Sequence, residues 1–237
     1  MESAETNKHT DTLETTPPNR SLLKLASFEE LLKGKLFLVV NEQLLFEKEG
    51  KYVFTQINLE NNYTAADYAE LPEGAPFQLI QGKLIFMASP YYIHQKVLMR
   101  LANKLDTHVE ENGLGEVLPA PMDVHFDAKN VYQPDILFVS VARKDIIDKF
   151  IQGAPDLVVE ILSKSTAQKD ETDKMKIYGK YDVLEYWMIH PTEQWVKVYE
   201  NQSGEMKEVV ELQQTGKYHS KTIEGFVLDV ATIFKGL

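Results

Sequence analysis

The sequence predicts a mixed α/β (α+β) domain, with a central β-sheet flanked by helices and additional β-structure at the N- and C-terminal ends. Residues 135–140 and 157–162 are almost wholly apolar, as expected for strands that are buried on both faces. Residues 90–112 and 166–182 carry apolar side chains at helical spacing, so helices alternate with these strands. The 237 residues are 43% hydrophobic, which is enough for a substantial core.

Composition and charge narrow the class of protein. The chain has no cysteine, which excludes disulfide frameworks, thiolate zinc sites, iron–sulfur clusters and cysteine nucleophiles. No apolar run approaches the roughly 18 residues of a membrane span, and the polar N-terminus lacks the apolar stretch of a signal peptide. We therefore expect a cytoplasmic protein without membrane contact. The formal net charge of −11 weighs against nucleic acid, because phosphate binding depends on Lys and Arg. Net charge acts on solubility and steering rather than on fold, however, so it does not exclude a nuclease.

Three regions follow one another along the chain. Residues 1–20 have almost no large apolar side chain and are predicted to form a disordered tail. Residues 21–62 are predicted to form a small β-rich N-terminal extension, and residues 63–237 the main domain. The elements predicted in the extension are a short helix at 28–32 and strands at 35–41, 43–47 and 51–55.

The main domain begins with helix-start residues at 64–70, followed at 77–87 by either a β-hairpin or a strand bent at Gly82. Ser89 and Pro90 match an N-cap followed by proline at the first helical position, and this helix carries His94 on its apolar face. The remaining predicted elements are strands at 116–126, 135–140 and 157–162, a helix at 166–182, a strand at 185–189, a hairpin at 195–199 and 209–212, a strand at 225–229 and a short terminal helix.

Two carboxylates are predicted to lie in buried strands. Asp135 begins one apolar strand, and Glu160 lies inside the other among aliphatic neighbours. Burying an ionised carboxylate costs several kcal/mol unless the group is paired or bound to a metal ion. Glu160 is therefore either a partner in a structural ion pair, for example with Lys174 or Arg143, or a metal ligand.

Lys174 shares a predicted helix face with Ile177, Tyr178 and Tyr181. A lysine on such a face usually extends its ammonium group to solvent. Together with the two carboxylates, however, Lys174 completes a set that could bind a hard divalent cation through oxygen ligands. The ammonium group would then lie beside a water or a phosphate.

Two ordered motifs resemble a known family. Residues 133–139 read QPDILFV and residues 154–163 read APDLVVEILS. They resemble the restriction endonuclease domain of the Uma-two family, which belongs to the PD-(D/E)XK nuclease superfamily. Further segments that carry the resemblance are 165–167, 170–174 and 185–189. The resemblance extends from about Tyr63 to Phe234.

The resemblance implies a restriction-endonuclease-like core and metal-dependent hydrolysis of phosphodiester bonds in nucleic acid. DNA is the expected substrate, and Mg²⁺ or Mn²⁺ the expected cofactor. Asp135 and Glu160 would be the metal ligands and, with Lys174, the catalytic residues. The superfamily's lysine usually lies two residues after the glutamate, where this chain has Leu162. Lys174, on the following helix, matches the lysine of this family instead.

Four residues are implied as accessory to the site, namely Gln78, His94, Asp156 and Tyr178. His94 is either a hydrogen-bonded core histidine or an accessory residue. An extended strand would separate Asp156 from Glu160 by roughly 13 Å, which is too far for the two to share one ion. Asp156 is therefore expected to be a structural carboxylate or to lie outside the metal's direct ligands.

Gln78 and Gln81 occupy positions where family members commonly carry an acid. A neutral amide oxygen binds hard cations more weakly than a carboxylate does. The alternative function is therefore a catalytically weakened nuclease-fold protein that binds nucleic acid or a protein partner. A hydrolase of small phosphorylated substrates ranks last, because the sequence has no Gly-rich phosphate loop. Since a two-fold assembly is suited to cutting two strands, we expect a homodimer.

Overall fold

The architecture was obtained as a computed structural model. It describes the backbones of three strands between residues 37 and 56 and, in full, residues 62–87, 89–163 and 173–237. The tail predicted at 1–20, the helix predicted at 28–32 and the first part of the helix predicted at 166–182 lie outside the described residues. The chain divides into two compact units, Met1–Ile57 and Asn58–Leu237.

The first unit contains a three-stranded antiparallel sheet. Its strands are β1 (Phe37–Val40), β2 (Gln43–Lys48) and β3 (Lys51–Gln56), in that spatial order. Val40 lies opposite Gln43, and Lys48 lies opposite Lys51, so consecutive strands pair as hairpins. Each of these strands overlaps one predicted from the sequence, with ends that differ by at most two residues.

The second unit begins with the short helix α1 (Ala65–Ala69) and the hairpin of β4 (Phe77–Ile80) and β5 (Lys83–Phe86). Thr64 and Asp67 form a capping box at the start of α1, in which each side chain accepts from the other's backbone N–H. The hairpin turn needs positive φ at both central residues, and Gln81 and Gly82 adopt φ values of 50° and 80°.

A six-stranded mixed sheet forms the centre of this unit. In spatial order its strands are β14 (Glu205–Gln213), β13 (Trp195–Gln202), β12 (Glu185–His190), β11 (Leu157–Ile161), β9 (Ile136–Ser140) and β6 (Gly115–Pro119). Strands β11 and β12 run parallel, and the other neighbouring pairs are antiparallel. The apolar segments that predicted buried strands are β9, β11 and β12, and all three occupy inner positions.

The long helix α2 (Tyr92–Asn112) covers one face of the central sheet. Its residues Val97, Leu101 and Leu105 are buried in one core with Val159 of β11 and Trp187 of β12. Spacings of three and four residues place these side chains on one face of the helix, as the sequence predicted.

The predicted start of this helix was wrong. Tyr91, not Ser89, occupies the N-cap position, and no side chain caps the first turn. Tyr91 is extended, with ψ of 161°, so the chain does not become helical directly after Pro90. The fixed φ of proline is also compatible with an extended segment, and here Pro90 serves that role.

The other face of the central sheet packs against helix α3 (Met175–Lys180) and a five-stranded sheet. This second sheet consists, in order, of β10 (Ile151–Gln152), β7 (Val124–Asp127), β8 (Asn130–Tyr132), β4 and β5. Tyr132 and Tyr178 are fully buried in a second core, together with Leu137, Val158 and Met188 of the central sheet. The predicted class, a mixed α+β fold with a sheet between helices, is confirmed.

The single strand predicted over residues 116–126 was wrong, because this segment is divided between the two sheets. Strand β6 ends at Pro119 in the central sheet, and β7 begins at Val124 in the five-stranded sheet. Proline has no backbone N–H to donate to a neighbouring strand. The Ala120 N–H still donates to the carbonyl oxygen of Asp135 at 2.9 Å, but Pro121 has no N–H to continue the ladder, and the chain crosses to the other layer.

Helix α3 is held against the tip of the β13–β14 hairpin. A Cβ atom at Gly179 would lie 2.6 Å from the carbonyl oxygen of Gly204, so the backbones touch directly. Asn201 donates hydrogen bonds to the carbonyl oxygens of Gly179 (2.8 Å) and Val183 (3.0 Å). The hairpin thus fixes the C-terminal end of the helix.

The chain ends with the small sheet of β15 (Lys217–His219) and β16 (Val227–Asp229) and the helix α4 (Val230–Phe234). Ile223, Leu228 and Ile233 from this part are buried in the same core as α2. No helix in the described part of the chain is long and apolar enough to cross a membrane.

Candidate active site

A cavity of about 360 Å³ lies where α2 begins, β9 begins and β11 ends. It is lined by Gln78, Met87, Ser89, Pro90, Tyr91, His94, Gln95, Leu98, Ala120, Pro121, Gln133, Asp135, Glu160, Ile161, Ser163 and Lys174. The three residues with predicted catalytic roles, Asp135, Glu160 and Lys174, therefore face one space.

The pairing of β9 with β11 explains why the two carboxylates meet. Val159 lies opposite Ile136 and Val158 opposite Leu137 in this antiparallel pair. Continuing the register by one residue places Asp135 opposite Glu160. Directly opposed residues have Cβ atoms about 4.5–5.5 Å apart. Two carboxylates far apart in sequence are thus brought side by side by backbone geometry.

Asp135 is held by contacts to both of its carboxylate oxygens. The backbone N–H of Ile161 donates to Oδ2 at 2.6 Å, and His94 Nε2 lies 3.3 Å from Oδ1. The first contact ties the start of β9 to the end of β11, and the second ties it to α2. The carboxylate has one fixed orientation at the wall of the cavity.

Glu160 is paired with Lys174, as one interpretation of the sequence expected. Lys174 Nζ lies 2.8 Å from Glu160 Oε1, and the side chains are 4% and 5% exposed. The hydroxyl of Tyr178 donates to the same oxygen at 2.6 Å. Burial, and next the charge of Glu160, raise the pKa of Tyr178 well above its usual value, so Tyr178 remains a hydrogen-bond donor.

The alternative partner, Arg143, belongs to another ion pair. Its Nε lies 3.3 Å from Asp156 Oδ1, and the backbone N–H of Ser140 donates to Asp156 Oδ2 at 2.7 Å. Asp156 does not line the cavity. The contacts of Asp156 connect β9, the 3₁₀ turn that follows β9 and the start of β11. They are contacts between elements of the fold, as expected of a structural carboxylate.

His94 lies between the helix and the carboxylates. Burial by itself lowers the pKa of His94, but the hydrogen bond to Asp135 and the charges of Asp135 and Glu160 outweigh it, so the pKa is raised. The other ring nitrogen, Nδ1, is buried and has no hydrogen-bond partner. The contact of His94 with Asp135 orients that carboxylate.

The two glutamines of the β4–β5 hairpin have different positions. Gln78 is buried and lines the cavity, and its Nε2 lies 2.9 Å from the sulfur of Met87. Its amide oxygen is buried without a hydrogen-bond partner. Gln81 is exposed in the turn and does not line the cavity. Of the two positions, only Gln78 can contribute an oxygen ligand there.

The donor set fits a hard divalent cation. Among the described residues, no group of three or more His, Asp or Glu side chains is placed so that it could hold a metal ion by itself. The cavity does offer two neighbouring carboxylates, Asp135 and Glu160, and the unpaired amide oxygen of Gln78. Carboxylate and amide oxygens are the ligand types of hard cations, and Mg²⁺ is usually held by one or two carboxylates while it keeps several of its waters.

Comparison with known proteins agrees with the resemblance in the sequence. A family model described as "Uma2: Putative restriction endonuclease" matches residues 65–231, which is more than half of the chain. The chain belongs to the Uma2 family. The matched residues include all of the candidate site, from Gln78 to Tyr178. No match was found among curated proteins.

A solved structure shares the fold of this Uma2 domain. It is a "putative nuclease belonging to DUF820" from Anabaena variabilis, with a TM-score of 0.63 and 23% sequence identity. The alignment covers 72% of this chain and 97% of that chain. At this identity the similarity supports the fold, which is restriction-endonuclease-like.

Sequence reasoning missed two parts of the cavity wall. Gln133 lines the cavity and donates to Asp123 Oδ1 at 2.7 Å, and Tyr68 donates to the same oxygen at 3.0 Å. Gln133 precedes Pro134 and Asp135 in the QPD motif, so its closeness to Asp135 in the sequence could have indicated its place in the cavity wall. Tyr91 also lines the cavity, and the adjacent aromatic pair Tyr91–Tyr92 after Pro90 was a signal in the sequence.

Proposed function

We propose that this Uma2 protein is a Mg²⁺- or Mn²⁺-dependent endonuclease of the cytoplasm that hydrolyses phosphodiester bonds of DNA. The observation that carries the proposal is the convergence of Asp135, Glu160 and Lys174 on one cavity, with the ammonium of Lys174 2.8 Å from Glu160. The family and the fold, both of nuclease type, support the same reaction class.

Asp135 and Glu160 would hold the metal ion, with Gln78 contributing its amide oxygen. When bound there, the cation supplies a Lewis acid that lowers the pKa of a water and polarises the scissile phosphate. Asp135 is oriented for this role by the Ile161 N–H and by His94, and Glu160 by Tyr178. Both carboxylates would therefore be oriented before the metal ion binds.

Lys174 provides a fixed positive charge at the site. Its side chain is 4% exposed, so its attraction for negative charge is screened much less than that of a surface lysine. The ammonium group stabilises charge that develops on the phosphate, or orients the attacking water. Attack by water is in line, and no covalent enzyme intermediate forms.

Cleavage of supercoiled and linear DNA, and of RNA, in Mn²⁺ or Mg²⁺ tests the proposal. Wild-type protein should cleave DNA, while Asp135→Asn, Glu160→Gln and Lys174→Ala should each lose activity by at least about 100-fold. Asp156→Asn is the matched control, because Asp156 is a buried carboxylate outside the cavity. Cleavage that is equal in wild type and Lys174→Ala would refute the proposal.

The second candidate is a nuclease-fold protein with weakened catalysis that binds nucleic acid or a protein partner. The neutral Gln78 in the cavity wall favours it, since an amide contributes less to cation binding than a carboxylate. Calorimetric titration with Mn²⁺ separates the two functions. An intact site should bind Mn²⁺ and lose it in Asp135→Asn, whereas no binding in wild type would favour the second function.

A homodimer is part of the proposal, because two-strand cleavage is suited to a two-fold assembly. Sedimentation velocity over a range of protein concentrations measures the oligomeric state directly. A monomer at all concentrations would restrict the enzyme to cutting one strand at a time.

A further inference from the structure

Exposed aromatic rings lie at and next to the cavity wall in the sequence, and the proposed chemistry does not use them. Tyr91 lines the cavity and is nevertheless 71% exposed, and Tyr92, the next residue, is 75% exposed. Phe86, at the end of β5, is 50% exposed. Two neighbouring aromatic side chains that are more than two-thirds exposed, one of them in the cavity wall, are not required for packing of the core.

The two tyrosines stand on rigid backbone. Tyr91 is the N-cap residue of α2, and its carbonyl oxygen accepts from the N–H of Gln95 at 3.1 Å. Tyr92 is the first residue of this 21-residue helix. His94, which contacts Asp135, follows Tyr91 by three residues and Tyr92 by two. The backbone that carries the two rings is therefore fixed relative to His94.

The charge of the cavity wall disfavours a contact made mainly with phosphates. Among the lining residues that the structure describes, Lys174 carries the only permanent positive charge, and it is buried against Glu160. Duplex DNA is bound chiefly by Lys and Arg side chains that replace its counterions. Unpaired bases can instead be held by aromatic side chains, because every base has a flat face available for stacking.

We propose that Tyr91 and Tyr92 form a stacking platform for unpaired nucleobases, so that the site takes single-stranded or locally unpaired DNA in preference to intact duplex. This inference rests on the proposed function, because it assigns the substrate class of the same cavity. In such a complex the bases contact the two rings, and the phosphodiester between them enters the cavity.

Metal-free protein tests the platform without requiring cleavage. The probe is a labelled DNA strand of about 12 nucleotides, within the ~4–16-nucleotide range of single-strand binding sites. Fluorescence anisotropy compares this strand with its duplex and with a strand of the same length that lacks bases. Wild-type protein should bind the strand with bases more tightly than either of the others.

Substitutions assign the preference to the rings. Tyr91→Ala and Tyr92→Ala should each weaken binding of the strand about five- to 150-fold, as expected for the loss of one base–aromatic stack. Tyr91→Phe should keep the wild-type affinity, because it keeps the ring. Met99→Ala is the control, since Met99 is 56% exposed on the same helix two turns further along.

Equal binding of strands with and without bases would overturn the inference, and so would unchanged affinity in both alanine variants. If sedimentation shows that the alanine variants dissociate a dimer while DNA affinity is unchanged, the rings contact a second copy and the platform is refuted. Base-dependent binding without Mn²⁺-dependent cleavage would refute the proposed nuclease and leave the platform standing. Mn²⁺-dependent cleavage without base-dependent binding would refute the platform and leave the proposed nuclease standing.

Discussion

Replacing Lys174 with methionine should lower the free energy of unfolding by about 3 kcal/mol. The side chains of Lys174 and Glu160 are 4% and 5% exposed and lie 2.8 Å apart. Removing one partner of a buried ion pair typically costs about 3–5 kcal/mol, because the other charge remains buried. Tyr178 still donates to Glu160 in the variant, so we expect the lower end of this range.

A double-mutant cycle isolates the pair. In Lys174→Met/Glu160→Gln the amide oxygen of residue 160 can still accept from Tyr178, and no unpaired charge is left. The double variant should recover at least about 2 kcal/mol relative to the sum of the single changes. Unfolding in urea, followed by tryptophan fluorescence and extrapolated linearly to water, measures all four proteins.

Lys176→Met is the matched control, because Lys176 is exposed on the same helix. It should leave the free energy of unfolding unchanged. The reasoning is refuted if Lys174→Met lies within about 1 kcal/mol of wild type, or if the cycle shows no coupling between the two positions. Either result would mean that water reaches the pair and screens it.

Three further predictions concern other residues. Glu185→Ala should destabilise the protein by about 3–5 kcal/mol in the same urea assay, because it leaves four donors without their acceptor. The Glu185 carboxylate is 1% exposed and accepts from the Trp187 ring N–H, the Ser220 hydroxyl and the backbone N–H groups of residues 221 and 222. An effect below about 1 kcal/mol would contradict this prediction. Gln78→Glu should raise Mn²⁺ affinity about tenfold in calorimetry by adding a negative charge to the cavity, and unchanged affinity would exclude residue 78 from the site. Burial lowers the pKa of His125 below its usual 6.5, and the charge of Asp123 offsets this only in part. The unfolded chain therefore binds a proton at His125 more readily than the folded protein does. As a result, the folded protein loses stability as the pH falls below about 6.5. His125→Phe, which keeps the ring beside Phe150, should therefore lose less stability than wild type between about pH 8 and pH 5, and parallel pH profiles would refute this.

Local pattern was sufficient for the main elements of the fold. Strands β9, β11 and β12 follow from their apolar composition, and α2 follows from the spacing of Val97, Leu101 and Leu105. The boundaries were less predictable. Pro90 is compatible with a first helical turn and with an extended segment, and the choice depends on packing that local sequence does not contain.

The candidate site was predictable in part for the same reason. A carboxylate inside an apolar strand is conspicuous, which is why Glu160 stood out from the sequence alone. The sequence did not predict which residue pairs with Glu160. Both Lys174 and Arg143 were candidates, and the choice depends on how the helix and the strands pack. The pairing of Asp135 opposite Glu160 is a register of β9 against β11, and register depends on contacts between segments far apart in sequence.

The contact between Gly179 and Gly204 has a consequence for the chemistry at the other end of helix α3. Tyr178 reaches Glu160 from this short helix and Lys174 from its N-cap position, and a hairpin tip outside the cavity contacts the far end of the helix. A side chain at position 179, or a longer turn at 203–204, would shift the helix as a whole and withdraw both donors together. The position of two donors to Glu160 thus depends on the absence of a single methyl group at the other end of the helix.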